Sequence, residues 1–136
     1  MPEHTGQCLC GDVKYLISAD PAMSVVCHCK NCQRQAGSAF STIWAVPKAA
    51  VTFSGTSAKC YEDKTSESGG VVQRYFCGEC GSPIYSGLSA QPDMIYIKTG
   101  TLDNADDFVP ALHLWADSKQ PWVDIPADIP TLAKQS

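Results

Sequence analysis

The chain has 136 residues, enough for one domain of ordinary size and too few for two. Hydrophobic residues at 44% and charged residues at 18% suit a packed core and exclude a disordered chain. A formal charge of −4 leaves no basic surface for neutralising phosphates, which argues against nucleic-acid binding.

Met1 to Cys8 carries neither a basic n-region nor an apolar h-region, so no secretory signal is read. No apolar run approaches the roughly 20 residues that span a bilayer. The expectation is a soluble cytoplasmic protein with no membrane partner, with His4 disordered near the start.

Period-two patterning then predominates. Val13, Tyr15 and Ile17 alternate with polar neighbours, Ala39 to Val46 is an apolar run ended by Pro47, and Val71 to Phe76 leads into Cys77. Val51 to Phe53, Ala58 to Glu62, Ile84 to Ser86, Met94 to Lys98 and Ala111 to Ala116 are further strands, parted by Gly, Pro, Ser and Asp clusters. Short helices are expected at Lys30 to Gln35 and Leu102 to Asp106, neither above two turns. Ser66 to Gly70 reads as a flexible loop and a candidate pocket rim. Asp103, Asp106 and Asp107 read as a solvated turn, and Trp44, Trp115 and Trp122 as core or lid residues. The fold class is all-β, a sandwich or distorted barrel, in one domain over residues 1–136. Its core runs from about 6 to 122, and the tail 123–136, with Pro126 and Pro130, forms a surface strap or frays.

Eight cysteines carry the chemistry: Cys8, Cys10, Cys27, Cys29, Cys32, Cys60, Cys77 and Cys80. All but Cys60 sit within three residues of another cysteine. In a reducing compartment such clustering points to metal, because C-x-C and C-x-x-C spacings converge thiolates on one point whereas disulfides tie distant segments. In extended backbone Cys8 and Cys10 share a face opposite Leu9, and Cys27 and Cys29 share a face that His28 does not, which argues against His28 as a ligand to the same ion.

A structural zinc takes four protein ligands, and pairing Cys8 and Cys10 with Cys77 and Cys80 completes one such site. Cys27, Cys29 and Cys32 remain. Three ligands and one exchangeable position is the pattern of a catalytic zinc, and a closed second site with Cys60 or His113 as fourth ligand is the alternative. Three thiolates on a divalent ion leave about −1 net charge, which weakens the Lewis acid and favours uptake of a soft thiol over ionisation of water. Lone Cys60 reads as a buried core residue. His28 could orient a substrate or bond nearby backbone, and His113 reads as a satisfied core histidine or a pocket base.

The run Gly6-x-Cys8-x-Cys10-Gly11-x-Val13-x-Tyr15, then Cys27-His28-Cys29-x-x-Cys32-Gln33-Arg34, then Arg74-x-Phe76-Cys77-x-x-Cys80-Gly81-Ser82-Pro83, resembles the glutathione-dependent formaldehyde-activating enzyme (GFA) family. His113-x-x-x-x-Ser118-Lys119-x-x-Trp122 is similar to that family's C-terminal signature, so the resemblance covers about Gly6 to Trp122. It implies a β-tent fold and two zincs per chain, a structural one on the outer cysteine pairs and a catalytic one on the central triplet. It also implies carbon–sulfur lyase chemistry, in which glutathione or another small thiol adds reversibly to formaldehyde or another small aldehyde. On this reading Cys27, Cys29 and Cys32 hold the thiol, and Arg34, two residues beyond Cys32, is the expected anchor for a glutathione carboxylate, with His28 and His113 as further substrate contacts. The contrasting reading is a non-catalytic β-tent module that binds a protein partner. The two differ in whether the second zinc is open to a pocket. The oligomeric state is not fixed by any feature of the sequence.

Overall fold

The computed structural model describes residues 3–66 and 70–135. Strands dominate it and form two sheets. The smaller one is antiparallel and takes β1 (His4–Gln7), β2 (Lys14–Ile17) and β5 (Val51–Ser54), in the order β1-β2-β5.

The larger sheet has seven strands: β3 (Met23–Cys27), β4 (Ser41–Pro47), β6 (Ala58–Asp63), β7 (Val72–Cys77), β8 (Pro83–Leu88), β9 (Gln91–Lys98) and β10 (Leu112–Leu114). Their spatial order is β10-β3-β4-β9-β8-β7-β6, antiparallel throughout except for the β10–β3 pair. The one α-helix among the described residues, α1 (Lys30–Ala36), follows β3 directly and stops at Gly37, whose φ of 63° supplies a left-handed cap.

Alternation explains which face of each strand turns inward. Tyr15 and Ile17 of β2 meet Trp44 and Val46 of β4, Ile84 of β8 and Ile95 and Ile97 of β9 in one core between the sheets. Each fully buried aliphatic side chain there stabilises the fold by about 1.5–3 kcal/mol. On the opposite face of the large sheet, Ile43, Arg74, Ser86 and Lys98 turn toward a cavity.

Strands were expected wherever alternation was clean, and those expectations hold within one to three residues at each end. Four expectations fail. Leu102 to Asp106 forms no helix, because Leu102 is buried and bridged to Gly6, and a single 3-10 turn at Thr99–Thr101 precedes it. His4 is ordered in β1, edge-on to Trp44 at 4.9 Å and 3.3 Å from Asp20. Cys60 is exposed on β6, the edge strand of the large sheet, and not in the core. Trp122 is neither core nor lid: it is 72% exposed.

The tail is a strap rather than a frayed end. His113 N–H donates to Pro130 at 3.0 Å, Leu132 N–H to His113 at 2.8 Å and Trp115 N–H to Lys134 at 3.1 Å, so residues 130–134 run along β10 and cover its free edge. Of the loop expected at Ser66 to Gly70, residues 67–69 lie outside the described residues.

Candidate metal centre

Two groups of cysteines converge, and local chain geometry explains both. Cys8 follows β1 and Cys10 lies in the turn to β2, closed by Cys8 N–H to Val13 at 3.0 Å and Gly11 N–H to Cys8 at 3.1 Å. Gly11 has a φ of 82°, a left-handed conformation that a side chain resists. Cys77 ends β7, and Cys80 sits in the turn to β8, closed by Gly81 N–H to Cys77 at 2.8 Å, again with a left-handed glycine (φ 81°). The two turns bring all four Sγ atoms within 4.8 Å of one another.

Their spacing suits one tetrahedral ion. Cys8 and Cys10 are 3.6 Å apart at sulfur, and Cys10 and Cys77 are 3.7 Å apart. Zinc–sulfur bonds of about 2.3 Å place tetrahedral sulfurs about 3.8 Å apart, and a disulfide would need about 2 Å. Backbone N–H groups of Val13 and Glu79 point at Cys8 and Cys77, each at 3.4 Å, as thiolates require. The Ser82 hydroxyl, 3.2 Å from Cys80, and nearby backbone donors pull that thiol down to about 5. Since one turn belongs to each sheet, an ion here would pin the small sheet to the large one.

The second group is Cys27, Cys29 and Cys32, again with all Sγ atoms within 4.8 Å. Cys27 ends β3, Cys29 is the N-cap of α1, and its sulfur accepts the N–H of Cys32 at 3.2 Å. A thiolate fills the cap position that an oxygen usually takes. Hydrogen bonds from Cys27 and Cys29 hold the Cys32 thiol down to about 3 despite its burial, with the charges of Lys98 and Arg74 assisting. Hydrogen bonds shared with Cys29 and Cys32, together with burial, push the Cys27 thiol up.

Neither Cys60 nor His113 completes this set. Cys60 sits on the edge strand. His113 Nδ1 lies 2.9 Å from His28 Nε2, with the rings stacked at 5.2 Å and Phe40 against His28. Among the described residues, no fourth His, Cys, Asp or Glu reaches the triplet. Burial lowers both histidines, which keeps the pair neutral. His28 is fully buried, and neither histidine lines the cavity, so the structure does not bring these two expected contacts to substrate.

The triplet opens into a cavity of about 420 Å³, a volume ordinary for small-molecule sites. Ile43, Leu114 and Trp115 give it apolar walls, and three cations reach it: exposed Lys30 and buried Arg74 and Lys98. Arg74 donates from both Nε and Nη2 to Asp63 Oδ2 at 3.0 Å. Although burial opposes it, the Thr65 hydroxyl (2.6 Å) and N–H (2.9 Å) and Arg74 hold the Asp63 carboxyl below its ordinary range. Asn31 of α1 donates to the same Asp63 at 3.1 Å, which ties the helix to β6.

Arg34, the expected anchor, stands apart from the cavity lining. It is exposed on α1 and does not line the cavity, because a helix turns residues two apart away from each other. Sequence reasoning preferred Arg34 to Arg74, the other arginine of the chain, and passed over Lys98. The available signal was position: each is a cation inside an otherwise apolar alternating strand, on the face opposite the core.

Fold and site together define a β protein with two cysteine groups, each able to hold a metal ion. The chain belongs to the glutathione-dependent formaldehyde-activating enzyme family, whose sequence model matches residues 3–118. A Podospora anserina protein named "Putative glutathione-dependent formaldehyde-activating enzyme" is 32% identical over 62% of this chain and 39% of its own length. An Emericella nidulans protein of the same name is 28% identical over 62% of this chain and 41% of its own. A Schizosaccharomyces pombe protein named "Uncharacterized lyase" is 30% identical over 62% of this chain and 58% of its own. The chain thus spans about two-fifths to three-fifths of these relatives. A crystal structure of a Rhodobacter sphaeroides protein shares the fold, with a TM-score of 0.59 at 18% identity over 76% of this chain and 91% of that one. Among the described residues no helix is long and apolar enough to cross a membrane.

Proposed function

We propose that the protein is a carbon–sulfur lyase-type enzyme that adds a small thiol, such as glutathione, reversibly to formaldehyde or another small aldehyde, with zinc at both cysteine groups. The observation that carries this reading is the contrast in completeness. Four sulfurs close one group, whereas three sulfurs at a cavity leave the other without a fourth protein ligand among the described residues. Zinc on Cys27, Cys29 and Cys32 would supply a position at which a thiol ionises to its nucleophilic form.

The chain's own residues do the rest. Cys27, Cys29 and Cys32 hold that position at the cavity floor. Ile43, Leu114 and Trp115 exclude water around it and hold the two reactants close. Lys30 at the mouth and Arg74 in the wall offer positive charge to a carboxylate-bearing thiol, Arg74 through the guanidinium edge not spent on Asp63. Family membership and the relatives' names support glutathione and formaldehyde as the pair.

The test is zinc content per chain under reducing conditions, with X-ray absorption at the zinc edge before and after glutathione, followed by exchange NMR of the glutathione–formaldehyde adduct. Two zincs, one gaining a sulfur ligand, and accelerated exchange are expected. Zinc ligation unmoved by any thiol would sink the proposal in favour of a closed, non-catalytic module.

A further inference from the structure

Three strands in register place a buried ammonium beside the triplet. Lys98 of β9 lies opposite Ile43 of β4, which lies opposite Val25 of β3, and all three side chains line the cavity. Two residues further along β3, Cys27 is paired with Ser41 on that same face. Directly opposed side chains in such pairs start about 5 Å apart. Lys98 Nζ donates to Ser41 Oγ at 2.7 Å, so the ammonium is brought across β4 to the side chain facing Cys27.

This cation differs from the other two. Arg74 spends Nε and Nη2 on Asp63, and Lys30 is exposed. Lys98 is 7% exposed, has three N–H donors and one hydrogen-bond partner, Ser41, and has no carboxylate paired with it among the described residues. A buried ammonium needs both a compensating charge and acceptors. The thiolates supply the charge. Among the described residues no further acceptor takes the remaining donors, and Lys98 lines the cavity that Cys27, Cys29 and Cys32 also line.

The geometry points to Lys98 as a catalytic residue that donates to the carbonyl oxygen of the aldehyde while the thiol sulfur attacks its carbon. This rests on the lyase reading above. In the step the S–C bond forms, the π pair of C=O moves onto oxygen, and Lys98 N–H holds the resulting alkoxide until it takes a proton from water. The proton shed by the thiol goes to water, so thiol and aldehyde add with no oxidant or further reactant. Breakdown of the adduct runs the same path backwards. Preorganised donors of this kind act on charge that develops only during reaction.

Formate tests the contact without catalysis, since its oxygens carry the negative charge that the aldehyde oxygen acquires. Its affinity for the zinc-loaded protein is measured by titration calorimetry in wild type, Lys98→Met and Lys48→Met, the last an exposed lysine that does not line the cavity. Methionine keeps the length and apolar stem, so the buried strand end stays filled. The expected result is at least tenfold weaker formate binding in K98M, no change in K48M, two zincs per chain in all three, and an exchange rate about 100-fold lower in K98M. Formate binding in K98M within twofold of wild type overturns the inference, as does a wild type that binds no formate. Loss of one zinc from K98M also overturns it, because Lys98 would then serve the metal and not the substrate. Formate binding that depends on Lys98, in a protein that does not accelerate thiol–formaldehyde exchange, keeps the oxygen contact and discards the reaction.

Discussion

The two cysteine groups use the same ligand on different architecture. The four-cysteine group is made by two turns 67 residues apart, at sulfurs 3.7 Å from each other, and it joins two sheets. The three-cysteine group comes from a single strand-to-helix junction, joins nothing distant, and faces a cavity with a buried lysine. Ligands drawn from far apart make a metal into a clasp. Ligands drawn from one short segment leave room beside the metal for chemistry.

Breaking the clasp carries the largest expected effect. Structural zinc in small domains contributes on the order of 10 kcal/mol, comparable with a whole domain's stability. Cys77→Ser is expected to remove one zinc and abolish the cooperative thermal transition. Cys27→Ser is expected to remove the other zinc and keep a cooperative transition, with a loss below about 3 kcal/mol. Calorimetry with zinc counting separates the two, and equal losses would erase the distinction drawn here.

Next comes the buried pair in the cavity wall. Asp63→Asn leaves Arg74 buried without its counter-charge, and a loss of about 3–5 kcal/mol is expected in urea at pH 7. Because the folded Asp63 carboxyl sits below its ordinary range, its contribution is present above about pH 4 and disappears as pH falls through the folded value. Stabilities of wild type and D63N should therefore converge in acid. Curves that stay parallel would remove Asp63 from the account.

A smaller effect separates the cavity from the histidine pair beneath it. His28 and His113 have folded values depressed by burial, so the unfolded chain binds more protons below about pH 6.5 and stability falls there. His113→Gln should flatten the slope of the urea midpoint between pH 7 and 5. An unchanged slope would show that the folded value of His113 is not depressed. Smallest of all, Arg34→Ala should stay within about 0.5 kcal/mol of wild type and leave thiol affinity unchanged. Weaker thiol binding would restore the anchor that the cavity's lining removes.

Much of this was legible in the residues. Ligand counting separates Cys8, Cys10, Cys77 and Cys80 from Cys27, Cys29 and Cys32 with no coordinates, because two-residue and three-residue spacings are local geometry. Strands with clean alternation, such as Lys14–Ile17, are legible for the same reason. β3 is covered on both faces over Val25 to Cys27, so its pattern does not alternate and it hides among apolar runs. Cys60 and Arg34 misled because their neighbours in sequence are not their neighbours in space. Lys98 was invisible because its meaning lies in the register of three strands, and register is set by pairing partners up to 55 residues away.

The strap along β10 also fixes an order of events. Leu114, Trp115 and Gln135 wall the cavity over Cys27, Cys29 and Cys32, yet they are translated about a hundred residues after those cysteines. The triplet therefore leaves the ribosome as three open thiols, able to capture an ion before any wall exists. A wall made last can close over a site already filled, and metal delivery would then need no passage through the finished protein.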